Sequence, residues 1–289
     1  MKKRTPDQIA DESLLLKIAV LAIRVGGRCM APYGHEFSPK RFTQPQLFAC
    51  LILRHVLKTT YRDIIEDLAL MPRLREAIGL EVLPHFTTLQ KFSGRTDVLK
   101  AVDRCLKEVA VLCKVNPRDQ ASIDATGLET TNASAHFVAR SGRKRRRFLK
   151  VSMIIVCGLI LPVAVVLSWG PGPDIVQARP LARKAAEVIQ PSTLWGDKGY
   201  DCDDWHEFCR EGWGVQSFAP PRRGGTSWTI GGKHRWTMRN NWEGYGKRWA
   251  SETAHSTMKR TLGSTLAGRS ERTQMGDAAI KVLAYALRV

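Results

Sequence analysis

Between Val151 and Trp169 the chain runs VSMIIVCGLILPVAVVLSW without one charged side chain. A stretch this long and this apolar has to leave water, either as a membrane-spanning helix or as strands inside a sheet. Gly158 and Pro162 interrupt its middle, and valine and isoleucine dominate both sides. That punctuation fits two buried strands joined by a turn at Cys157-Gly158-Leu159 better than one continuous helix. The fold therefore contains a sheet, and no membrane span is expected.

The sequence before this run reads differently. Up to about Pro117 it is helical: residues 12–25 and 46–58 carry apolar side chains at helical spacing, among them Leu47, Leu51, Leu53, Val56 and Leu57. TTYRDIIEDLAL (59–70) opens on threonines able to cap a helix, and in PHFTTLQKFSGR (84–95) Thr87 or Thr88 can cap another. With a loop between them, these two short helices read either as a helix-turn-helix-like DNA reader or as ordinary packing in a small bundle. Residues 97–114 form a further amphipathic helix.

After Asn116-Pro117 the pattern changes. ASIDATG (121–127) predicts a short buried strand ending in a carboxylate, followed by the hairpin and a helix over 171–189 capped by Asp174. A strand over 192–201, a short helix over 203–212 and a strand over 213–220 come next, then a Gly-, Arg- and Trp-rich loop. Helices over about 244–262 and 273–288 close the chain. This order predicts an all-helical N-terminal domain (1–117, for DNA binding or dimerisation) and an α/β domain with a mixed sheet (118–289).

The formal net charge is +18, from 45 Lys and Arg against 27 Asp and Glu. Such an excess favours a polyanionic partner, nucleic acid first and an anionic membrane surface second. The seven cysteines are odd in number and show no CxxC spacing, which points to free thiols in a reducing compartment. The basic N-terminus is interrupted by polar and acidic residues and lacks a cleavage site, so no signal peptide is expected. A cytoplasmic protein is the resulting expectation.

Asp124 and Asp197 each follow an apolar β-type run, at the expected strand end where sites assemble in open α/β sheets. A lone acid there is as readily a cap. Gly127 and Gly199 stand nearby, where the lack of a side chain lets backbone approach a ligand. In YGKRWASETAHSTMK (245–259), Tyr245, Arg248, Glu252 and Lys259 fall on one face of a predicted helix at about 100° per residue. Ala250, Ala254 and Met258 fall opposite, small and apolar enough to pack on a sheet. The charged face is either functional or a solvated stripe with an i, i+4 ion pair between Arg248 and Glu252. Asp174, Asp201, Asp203 and Asp204 read as caps, and His136, His206, His234 and His255 as non-catalytic.

Asp124 in IDATG, Asp197 in WGDKGYD, and the Y-R-E-K pattern of Tyr245, Arg248, Glu252 and Lys259 together resemble insertion-sequence DDE transposases of the insertion sequence four and five group. YRDIIEDL, LREAIGL and PHFTTLQKF extend the likeness into the N-terminal half. The resemblance implies a ribonuclease-H-like catalytic fold, with DNA hydrolysis at transposon ends followed by transesterification into target DNA. It implies two divalent cations, Mg2+ or Mn2+, with Asp124 bridging both and Asp197 and Glu252 each holding one. Tyr245, Arg248 and Lys259 would hold phosphates or bases at the transposon tip. The partners implied are double-stranded DNA, as terminal inverted repeats and target, and a second copy of the chain. A same-fold nuclease without strand transfer, or an inactive relic that binds ends as a repressor, are the alternatives.

Two basic stretches remain. Arg140 to Lys150 holds seven cations, with Arg143, Lys144, Arg145, Arg146 and Arg147 contiguous; it reads as a DNA-backbone contact or as a solvated turn. Trp213 to Trp249 holds five of the eight tryptophans, interleaved with arginine and lysine, a composition suited to stacking on unpaired bases. For Trp213 and Trp249 core packing is the expectation.

Overall fold

In the computed structural model, which describes residues 13–130, 148–222, 232–238 and 243–289, the apolar run forms the expected antiparallel hairpin. Its strands are Phe148–Val156 and Leu161–Gly170, with a turn at Cys157–Ile160. Both strands bury their apolar side chains around the turn-proximal half. Among the described residues, no helix is long and apolar enough to cross a membrane.

The chain divides into two compact units, Met1–Val109 with Arg260–Val289, and Ala110–Lys259. Its first described elements are helices: α1 (Leu14–Cys29), α2 (Gln44–Leu57), α3 (Asp63–Leu70), α4 (Pro72–Ala77), α5 (Phe86–Ser93) and α6 (Thr96–Leu112). Thr43 starts α2 with a capping box, its hydroxyl accepting from the Gln46 backbone while Gln46 reaches back. From Leu47 to Leu53 α2 is buried on every side, which an apolar helix without a polar face requires. Two details depart from the sequence expectation. The presumed loop after residue 70 contains α4, where Pro72 takes the first helical position it suits. His85, not a threonine, caps α5, its ring accepting from the Thr87 backbone.

The second unit holds the sheet. Its strands are β1 (Ala121–Leu128), β2 (Phe148–Val156), β3 (Leu161–Gly170), β4 (Thr193–Trp195) and β5 (Gln216–Phe218), in the order β3-β2-β1-β4-β5. β1, β2 and β3 pair antiparallel, whereas β1–β4 and β4–β5 are parallel. Helix α7 (Ile175–Ala185) packs against β2 and β3. The short α8 (Asp203–Glu207) continues into a π-helical turn (Phe208–Gly212), and α9 (Trp249–Leu262) follows a 3₁₀ turn (Tyr245–Arg248).

The last helix, α10 (Glu271–Ala286), packs on α2 and α5. The compact unit that holds the N-terminal helices also takes in Arg260–Val289. Chain order cannot reveal such a return, because α10 is buried from Gly276 to Ala286 and would suit any apolar partner.

Candidate active site

Asp124 lies in the middle of β1, not at its end, because β1 continues to Leu128 against β2. The strand that ends early is β4. Its pairing with β1 runs Ala121↔Leu194 and Ser122↔Trp195; carried two residues further, this register sets Asp124 level with Asp197. Adjacent strands lie about 4.8 Å apart, so the two carboxylates share the margin of the sheet where β4 stops. Asp197 is extended (φ −80°, ψ −178°) and accepts the Gly199 N–H at 2.7 Å, starting a 3₁₀ turn over Lys198–Tyr200.

The electrostatics bear out this proximity. Burial pushes Asp124 up to about 6; Asp197 and Asp174 add to the rise, while the Ala125 N–H and Arg248 oppose it. Near the acids lies Tyr200, whose buried hydroxyl has no hydrogen-bond partner among the described residues. Its pKa is held well above the usual phenol value by burial and then by Asp124, Asp174 and Asp197. Asp174 thus belongs to the same acidic group. It makes no cap bond with α7, contrary to the sequence reading, and pairs instead with buried Lys150 at 2.6 Å. A capping aspartate and a site aspartate look identical in sequence, so only the tertiary fold separates them.

Glu252 stands apart from the aspartates. It is 56% exposed and ion-paired with Arg248, so the i, i+4 pair offered as the structural reading does form. Tyr245 and Arg248 belong to the 3₁₀ turn and not to α9, so a uniform helical wheel misplaces them. The turn packs on β1 and β4. The Tyr245 ring sits 6.2 Å from Trp195 and 6.1 Å from Phe218, beside a buried cluster with Met238. Gly244 enters the turn at φ 82°, where a side chain would also meet the Trp195 ring at 3.0 Å. Ala250, Ala254 and Met258 are buried as expected.

His255, set aside in the sequence reading, is buried with Nε2 3.8 Å from Asp124 Oδ2. Burial, then Lys259, lowers it to about 4 against the opposing pull of Asp124, so it faces Asp124 as a neutral ring near neutral pH. Its position three residues after Glu252 was the available signal. Both glycines sit at close approaches within the chain. Gly127 clears space for the Phe148 ring, which a side chain would meet at 2.8 Å, and Gly199 lies against the Asp197 carboxylate.

Residues 116–287, more than half of the chain, match the family model described as a transposase DDE domain. The chain belongs to the DDE transposase family. A comparison with curated proteins returned no match. DDE transposases employ divalent metal ions, and the donor set of this transposase meets that need in part. Asp124 and Asp197 offer paired hard oxygens of the type Mg2+ or Mn2+ takes, and a cation would offset the burial, and the lesser repulsion from Asp197 and Asp174, that raise Asp124. Glu252 does not join them in this conformation. Among the described residues no group of three or more His, Cys, Asp or Glu side chains stands ready to hold an ion.

Asp201, Asp203 and Asp204 also depart from the capping reading. Cys202 holds the cap position of α8 without a side-chain bond, and Asp203 and Asp204 lie in its first turn. The Asp201 side chain is buried and binds Arg235 through both oxygens, at 2.8 and 2.7 Å, and the Arg222 N–H. Burial alone would raise it, but hydrogen bonds from Arg235 and the Arg222 N–H, with the His206 ring 3.7 Å away, outweigh this and hold it far below the carboxylate range. A depressed carboxyl contributes stability above its unfolded pKa, and loses it as pH falls through the folded one. Asp201→Ala is therefore expected to cost about 3 kcal/mol at neutral pH, as for a broken buried pair. In urea unfolding the gap to wild type should begin to narrow below about pH 4; a gap independent of pH would contradict the role assigned to this carboxylate.

Trp213 is buried as expected, whereas Trp249 is 58% exposed, contrary to the core reading. Trp236 is exposed as well, at 66%. Arg143, Lys144, Arg145, Arg146 and Arg147 lie outside the described residues. The last cation of that run, Lys150, is inside the protein and committed to Asp174.

Proposed function

We propose that this transposase cuts DNA at insertion-sequence ends and joins the freed 3′ ends to target DNA, using Asp124, Asp197 and Glu252. The observation that supports it most is the juxtaposition of Asp124, on β1, with Asp197, two residues past the end of the adjacent parallel strand β4. Two part-buried carboxylates side by side, one of them resisting ionisation, weaken a fold and gain meaning as cation donors. Two bound Mg2+ or Mn2+ ions would supply Lewis-acid stabilisation of the attacking and leaving oxygens.

The remaining work falls to side chains of this chain. Arg248 holds Glu252 in the absence of DNA, and a backbone phosphate competes for the same guanidinium fork. Phosphate capture by Arg248 frees Glu252 to turn towards the aspartates, which couples assembly of the carboxylate set to substrate arrival. Tyr245, wedged against Trp195 and Phe218, fixes the turn that aims Arg248, and Lys259 adds a second positive charge for the DNA. Water attacks first, and the released 3′ hydroxyl second, without a covalent protein–DNA bond. The sheet order, three antiparallel strands continued by two parallel ones, supports the ribonuclease-H-like reading. Holding two ends together calls for at least two copies of the chain.

The test is metal-dependent nicking and joining of a duplex carrying the inverted repeats that flank the gene. Asp197→Ala and Glu252→Ala are expected to abolish cleavage while leaving duplex affinity within about threefold, because cations are spared. Cleavage without joining would favour the nuclease, and tight end binding without cleavage by the wild type would favour the repressor. Full activity in either variant would overturn the site assignment.

A further inference from the structure

A cation left without a carboxylate partner is available to an anion from outside. Three guanidiniums in the first unit are in that state around one groove. Arg41, Arg62 and Arg269 are exposed, and among the described residues no carboxylate pairs with any of them. Two hollows of about 600 and 560 Å³ share Arg62 and Phe86 as lining; Arg269 lines the first and Arg41 the second. The two hollows therefore adjoin at Arg62 and Phe86, with Arg269 on one side and Arg41 on the other.

Two of the arginines are already oriented. The Arg62 guanidinium lies 4.6 Å above the Phe86 ring, and that of Arg41 lies 5.4 Å from the Phe42 ring. Cation–π contact narrows the rotamers each side chain would otherwise lose on binding. The loop bearing Arg269 is held from beneath. Gly268 donates its N–H to buried Asp277 at 2.8 Å, and Gln274 donates to the Gly268 carbonyl at 2.9 Å. Asp63 and Glu66 also line the groove, yet the Asp63 carboxylate accepts the Thr60 N–H at 3.2 Å, and the guanidiniums outnumber the acids. With its face covered by Arg62, Phe86 is closed to an unpaired base, so the chemistry favours phosphates over base stacking.

We infer that this groove grips backbone phosphates of duplex DNA, a contact made by residues of the helical unit and separate from the Asp124–Asp197 pair. The inference rests on the reading that DNA is the substrate. The test compares the full-length wild type with the triple variant R41Q/R62Q/R269Q on a duplex of arbitrary sequence, across a salt series. All three positions are exposed, and an unchanged unfolding midpoint verifies the fold. At about 0.1 M salt the variant should bind at least ~10-fold more weakly, and its log K against log salt should be shallower by about 2.7, or about 0.9 per lost phosphate contact. Equal affinity and slope would overturn the groove while leaving the DNA reading standing. A wild type that binds no duplex would overturn both. Intact duplex binding with lost binding to polyglutamate would assign the groove to an acidic protein partner instead and overturn the inference.

Discussion

At neutral pH, Asp124→Asn is expected to abolish DNA cleavage while making the protein harder to unfold. The first effect follows from losing a cation donor at the reacting centre, worth several kcal/mol and hence at least about 10³-fold in rate. The second follows from burial and the neighbouring Asp197 and Asp174, which push Asp124 up from 3.8 to about 6 against the Ala125 N–H and Arg248. A carboxyl raised in the folded state favours folding fully below its unfolded pKa, and that contribution is lost as pH rises through the folded value. The shift is on the order of 3 kcal/mol before allowance for solvent contact, and an amide side chain escapes it. Without divalent cations, urea unfolding at about pH 7.5 should show the variant more stable by about 2 kcal/mol, with the difference closing towards about pH 4. Magnesium should then stabilise the wild type and not the variant. A variant that is no more stable, or that still cleaves, would remove Asp124 from the site.

Asp277→Ala should be the most damaging single change to the helical unit, at about 3–5 kcal/mol. Asp277 is 0% and Arg54 2% exposed, and the two pair at 2.5 Å. Asp277 also accepts from the Tyr61 hydroxyl at 3.1 Å and from the Gly268 N–H at 2.8 Å. Removing it strands a guanidinium in the core, together with buried Lys281, whose pKa burial already lowers to about 8 despite Asp277. Lys281→Met is the informative companion. It gives up hydrogen bonds to the Gly263 and Thr265 carbonyls but also removes a desolvated charge, so its cost should be clearly smaller. Hydrogen-exchange protection of α2 and α10 reads out both variants, and equal losses would show that the charge on Asp277 is not what holds this core.

These two carboxylates were unequally visible in the sequence. Asp124 stood out through IDATG and its apolar approach, although its register was misjudged: sequence shows where a hydrophobic run stops, not which neighbouring strand stops first. Asp277 left no trace, since an acid inside a helix reads as a solvated position until its partner, more than two hundred residues earlier, is known. The same reason hid Asp174 and Asp201. Both looked like caps, and one faces Lys150 while the other faces Arg235. Trp249 failed in the opposite direction, because a tryptophan beside buried Ala250 carries no sign of which way the preceding 3₁₀ turn rotates it.

By itself the sequence determined the apolar hairpin of Val151 to Trp169, since glycine and proline at its centre break any helix and β-branched residues on both sides suit strands. It also determined the buried stripe of Ala250, Ala254 and Met258, and the carboxylate-bearing motifs that placed the chain among DDE transposases. All of these are local, set by spacing and side-chain shape within a few residues. Tertiary structure alone decided that Asp124 and Asp197 stand level, that His255 backs Asp124, and that α10 returns to the N-terminal helices. Those relations join residues distant along the chain. They are fixed by strand register and by which apolar surfaces find each other, and no local pattern encodes either.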